Sequence, residues 1–158
     1  MTDPVTSSAG GDPGNATIPA ELIALGFRPA GAIRTLDGKT CRFCCDGDEV
    51  GYLVYAQIVD NRVMKFGTSK TSLAKRMTNN AQSINQVIAF VDGGAPPRTG
   101  WQKRPLDAFK RLAPEAIRAK KDIAVWVRPS AAHEYLQLER ELNARYETIR
   151  NGWALRLG

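Results

Sequence analysis

Metal-ligating side chains are scarce in this sequence. His133 is the single histidine, and the three cysteines, Cys41, Cys44 and Cys45, crowd into one stretch, CRFCC. A tetrahedral zinc site takes four ligands, and no second cysteine pair or nearby histidine completes the C-x-x-C at a known spacing. Structural zinc is therefore not expected, and the cysteines read as reduced, partly buried thiols of a strand. Also missing is any apolar run approaching the ~20 residues of a membrane span, and the N-terminus lacks the charged-then-apolar order of a signal peptide. These absences point to an intracellular, cytoplasmic protein with no membrane partner. No internal repeat is visible. What is present is a 43% hydrophobic composition over 158 residues, enough for one domain with a real core, and a net charge of +6 that favours a polyanionic partner, although basicity alone equally suits a membrane surface or solubility. Homo-oligomerisation is left open by these features.

Composition separates a tail from a domain. Residues 1–16, MTDPVTSSAGGDPGNA, carry almost no apolar side chain and cannot offset the entropy of ordering, so a flexible tail is expected there and one domain over 17–158. In TIPAELIALGF, Pro19 at a first-turn position and Gly26 as a stop mark a short helix. Gly31 to Cys45 reads as strands around the Asp37-Gly38 hairpin signal. Helices are expected at Ser72 to Met77, around Ser83 to Phe90 and from Pro105 to Lys120, followed by a buried strand, DIAVWV. A last helix should begin after Ser130, a candidate N-cap, and run to about Ile149. Strands mixed with segregated helices indicate an α+β fold.

The stretch GYLVYAQIVDNRVMKFGTSKTSLAKRM, Gly51 to Met77, carries the chemistry. Alternation puts Val54, Ala56 and Ile58 on one face of a first strand, with Tyr55 and Gln57 on the other. A three-residue loop of Val59, Asp60 and Asn61 would gather Val54, Ala56, Ile58, Met64 and Phe66 on one apolar face and set Tyr55 directly opposite Lys65. A two-residue Asp60-Asn61 turn would split both groups between faces. With the odd loop, the Lys65 ammonium stabilises the Tyr55 phenolate and lowers a pKa that is ~10 when unperturbed, which makes the tyrosine a base. Gly67 leaves room for close approach, and the short helix after it turns Leu73 and Met77 inward with Arg76 beside them. The same residues have a blander reading, as a solvated cross-strand pair and a solvated arginine.

Residues Leu53, Val54, Tyr55, Lys65, Phe66, Gly67, Thr68 and Arg76 resemble the signature of the GIY-YIG nuclease superfamily: a strand ending in Tyr, a second strand about ten residues on, and a helix bearing Arg. LVY stands for the first triplet and KFG for the second. Most members have tyrosine where Lys65 stands; a branch with some restriction and phage endonucleases has lysine, which leaves the general base open between Tyr55 and Lys65. The resemblance implies a small domain with a central antiparallel sheet flanked by helices. It also implies a metal-binding glutamate on a later helix, and LERELNARYETIRNGW offers Glu139, with Asn151 as a counterpart of the family's asparagine. At about 100° per residue, Tyr135, Leu138, Leu142, Tyr146 and Ile149 make one apolar stripe with Glu139 at its edge, while Glu134 and Glu141 point further away. The histidine often found after the arginine is absent; Asn79 and Asn80 occupy that neighbourhood, and His133 does not replace it by position.

Together these residues imply a Mg2+-dependent (or Mn2+-dependent) DNA endonuclease of restriction, phage or mobile-element type. The catalytic set would be Tyr55, Lys65, Arg76 and Glu139, with Glu139 the metal ligand. Arg98 to Lys121 interleaves basic residues with Trp101 and Phe109, which suits phosphate contacts and equally a solvated helix face with two core aromatics; together with Lys70 and Lys75, the candidate DNA-contacting cations are Arg98, Lys103, Arg104, Lys110 and Arg111. A rival class is a DNA-binding or interaction module that keeps the scaffold without turnover.

Overall fold

In a computed structural model the chain is described over residues 17–93 and 108–148. The tail expected over 1–16 lies outside those residues. The elements are α1 (Ile18–Ala24), β1 (Arg28–Arg34), β2 (Arg42–Cys44), β3 (Leu53–Val59), β4 (Arg62–Ser69), α2 (Leu73–Val91), α3 (Ala108–Arg118), β5 (Ile123–Pro129) and α4 (Tyr135–Arg145). The strands form one sheet in the order β2-β1-β5-β3-β4, every neighbouring pair antiparallel, so the fold is α+β. No helix among the described residues is long and apolar enough to cross a membrane.

Local chemistry accounts for the first elements. Thr17 caps α1 by accepting the Ala20 N–H at 3.2 Å, and Gly26 leaves the helix with φ +89°. The β1–β2 connection closes on Asp37, whose carboxylate accepts the Lys39 and Thr40 N–H groups at 2.8 and 2.9 Å. Those backbone donors, Thr40 first, hold its carboxyl down at about 2. Cys41 is buried, Cys44 half-buried in β2 and Cys45 exposed. The Cys41 thiol donates to the Ala81 carbonyl at 3.6 Å, and burial together with Asp37 pushes it up to about 11, so it stays protonated.

Helices cover both faces of the sheet. On one, Leu73, Met77, Ala81, Ile84 and Ile88 of α2 and Ala113, Ala116 and Ile117 of α3 share a core with Ile33, Leu53, Tyr55 and Val125. On the other, Leu22 of α1 and Leu142 of α4 pack with Phe27, Val54, Ala56, Ile58, Val63 and Phe66. Each Val, Leu, Ile, Phe or Met among them, fully buried, contributes about 1.5–3 kcal/mol of transfer free energy. Tyr146, just past α4, donates to Glu21 of α1 at 2.8 Å and ties the two helices of that layer together.

Three expectations need correction. The segments expected as two helices, Ser72 to Met77 and Ser83 to Phe90, are one helix, because Met77, Ala81, Ile84 and Ile88 continue a single stripe beneath the polar Asn79, Asn80 and Gln82. The last helix starts at Tyr135, not after Ser130, whose N–H instead donates to the Tyr52 carbonyl; it ends at Arg145, short of Ile149. The hairpin register also differs. Asp60 and Asn61 both have left-handed backbones (φ 52° and 59°), giving a two-residue turn between Val59 and Arg62, which pair. The parity problem is absorbed by a bulge: Ile58 pairs with Val63 and Gln57 with Lys65, so Met64 is the extra residue. Val63 thereby joins the Phe66 core and Met64 the Tyr55 core, the reverse of the expected grouping.

Candidate active site at the open edge of the sheet

Tyr55 lies opposite Gly67, not opposite Lys65, which faces Gln57. Tyr55 and Lys65 still share a sheet face, as diagonal neighbours and not as the expected directly opposite pair. The Tyr55 ring instead covers Gly67: a Cβ there would stand 2.4 Å from the ring and from its hydroxyl. Only glycine fits beneath that ring. Tyr55 has no exposed surface, and its hydroxyl has no hydrogen-bond partner among the described residues.

Lys65, Arg76 and Glu139 come together from three elements. Lys65 is half-buried on β4, which is an edge strand. Arg76 stands in the first turn of α2, where Ser72 caps the helix by accepting the Lys75 N–H at 3.1 Å. Glu139 is half-buried on α4, with its carboxyl pushed up by burial and drawn back down by Lys65, Arg140 and Arg76. Two of the expected catalytic cations thus act electrostatically on the expected metal ligand. Leu138, Leu142, Tyr135 and Tyr146 pack inward, as the helical stripe requires.

A cleft of about 380 Å³ opens beside this group, lined by Thr68, Lys70, Lys75, Arg76, Asn79 and Tyr135. Lys70 and Lys75, expected to contact DNA, therefore border the same cleft as Arg76. Lys110 and Arg111 fall in α3, but their side chains lie outside the described residues, as do Arg98, Lys103, Arg104, Trp101 and Asn151. Magnesium keeps several waters and is held by one or two carboxylates plus substrate phosphates. One half-buried carboxylate beside phosphate-binding cations fits that habit. No dedicated cage accompanies it, since no group of three His, Cys, Asp or Glu that could hold a metal occurs among the described residues.

Sequence reasoning missed Asn143. One helical turn beyond Glu139, its amide accepts the Phe66 N–H and donates to the Phe66 carbonyl, both at 3.0 Å, and its Oδ1 also accepts from the Thr148 hydroxyl at 2.6 Å. Phe66 sits between Lys65 and Gly67, so Asn143 locks the KFG strand to the helix that carries Glu139. The signal was an asparagine buried in a helix beside an apolar stripe, where only a specific partner would keep it.

Comparison with known proteins is sparse. No family model matches the chain, and no curated protein matches it. Among solved structures it is similar to the restriction endonuclease HPY188I in complex with product DNA, at 12% identity over 82% of this chain and 80% of that one, with a TM-score of 0.46.

Proposed function

We propose that this chain is a metal-dependent endonuclease that hydrolyses DNA phosphodiesters, of the GIY-YIG kind and of its lysine-bearing branch. The observation that carries this reading is that Lys65 and Arg76, from two other elements, both draw down the half-buried Glu139 carboxyl, and that Arg76 also lines a cationic cleft. Each residue comes from a separate element, and a merely solvated surface has no need to assemble them.

Glu139 would hold Mg2+ or Mn2+, which supplies charge neutralisation at the leaving oxygen when bound. Arg76 binds the scissile phosphate through its planar guanidinium and stabilises the charge that grows on it in the transition state. Lys70 and Lys75 hold flanking phosphates and give affinity without base readout. The burial of Tyr55 bears on the proton acceptor. Its hydroxyl is enclosed, so water reaches it only if the hairpin moves, whereas Lys65 meets solvent without rearrangement. Gly67 and the ring above it keep the strand bearing Lys65 in place.

Nicking of supercoiled plasmid in Mg2+ tests the reading. Wild type should nick, and Glu139→Gln should not, while binding DNA with unchanged affinity because the phosphate-binding cations remain. Arg76→Ala should lose ~100-fold or more in rate. Full activity of Tyr55→Phe beside a dead Lys65→Met assigns the base to the lysine, and the converse assigns it to the tyrosine. Tight binding with no nicking of any DNA form would make the chain a binding module.

A further inference from the structure

Tyr135 stands in the cationic cleft with a second ring, Tyr52, against it, and the cleavage scheme makes no use of either. Tyr135, the first residue of α4, lines the cleft with Lys70, Lys75 and Arg76. Its ring meets that of Tyr52 at a centroid distance of 5.0 Å and an angle of 60°, and Tyr52 is 41% exposed. Both are held from behind. Tyr52 is fixed through its carbonyl, which accepts the Ser130 N–H at 2.9 Å, and Tyr135 packs on the Phe66 core. The N-terminus of α2 is not the attraction for a ligand here, because Asp48 already binds the Ser72 hydroxyl and the Ala74 N–H at 2.6 and 2.9 Å.

A π-face next to three cations matches the two halves of a nucleotide, base and phosphate. At about 380 Å³ the cleft lies near the small end of ligand pockets, which span ~300–1,000 Å³, and so has room for about one nucleotide. A base inside a duplex offers its edges, not its faces; to stack on a tyrosine it must leave the helix. Leaving is least costly for a mismatched or unpaired base. Resting on the endonuclease reading, we propose that this cleft takes a single unstacked nucleotide with its base on Tyr135 and its phosphate on the cations. The preferred substrate is then DNA with an unpaired base beside the cut, as in a bulge, flap or single strand. Stacking on a ring face tolerates any base, so the stacking contact reads unpairing more than base identity.

The test uses metal-free Glu139→Gln protein, so that bound DNA stays intact, and two duplexes that differ only in one 2-aminopurine, bulged or fully paired. The bulged duplex should bind about tenfold more tightly at equal salt, and its 2-aminopurine emission should change on binding. Adding Tyr135→Ala should bring the preference close to unity, while Tyr135→Phe, which keeps the ring, should preserve it. The emission change in the Tyr135 protein decides the matter by itself if Tyr135→Ala does not fold. Equal affinity for both duplexes with unchanged emission overturns the nucleotide subsite and leaves the endonuclease reading standing. No binding to any DNA overturns both.

Discussion

The two faces of the β3–β4 hairpin treat buried polar groups in opposite ways. Toward α4, Asn143 and Thr148 are buried, and their polar atoms meet one another and both backbone groups of Phe66. Toward α2, the Tyr55 hydroxyl and the Gln57 carbonyl oxygen are equally buried and have no partner among the described residues, with only a 3.6 Å contact from the Gln57 amide to the Met77 sulfur. A satisfied network rigidifies what it touches, whereas an unpaired buried oxygen costs free energy and calls for another explanation. The hairpin is thus anchored through Phe66 to the Glu139 helix on one face, and polar without compensation on the face of the motif tyrosine, which Lys65 shares.

Three experiments sharpen or break that contrast. Asn143→Leu leaves the Phe66 N–H and carbonyl and the Thr148 hydroxyl without a buried partner, and should cost about 3 kcal/mol or more in urea unfolding. A loss under about 1 kcal/mol would mean that the strand is held by packing alone. Tyr55→Phe removes an unpaired oxygen and keeps the ring over Gly67, so stability should hold or rise by about 1 kcal/mol in the same measurement. A clear destabilisation would reveal a partner for the hydroxyl and erase the asymmetry.

The smallest effect concerns Glu139. Burial raises its carboxyl above the ordinary 4.5 against the pull of Lys65, Arg140 and Arg76, so the ionised form weighs against folding. That cost is absent below the ordinary value and sets in as pH rises through the raised one. Glu139→Gln should therefore stabilise the protein slightly at neutral pH, and the gain should fade as pH falls toward about 4.5 and be gone below it. Thermal unfolding across that range checks it; a difference that does not vary with pH would show the carboxylate to be solvated.

Legibility in the sequence followed how local the cause was. Thr17 with Pro19, Asp37 with Gly38, and the stripe from Tyr135 to Tyr146 depend on neighbours a few residues away, and each was readable. The placement of Lys65, Arg76 and Glu139 near one another was accessible only through the motif, since it needs three elements to pack. What stayed hidden depends on counting or on distant partners. Odd and even hairpin loops cannot be told apart once a bulge at Met64 may restore parity. The run around Asn79 and Asn80 looked like a break because polar residues on an exposed helical face resemble a loop. Asn85 further in the same helix bonds both backbone groups of Cys41, at 2.8 and 3.0 Å, a partner 44 positions away that no window would include.

The position of β5 has a consequence for how the chain assembles. β1 pairs with β2 and β3 with β4, each over a short connection, yet among the described residues the two ribbons join in one sheet only through β5, residues 123–129. A nascent chain therefore carries two separate hairpins with open edges until this strand emerges and slides between them. Contacts that span so much sequence close slowly, and strand edges left open meanwhile are prone to edge-to-edge association.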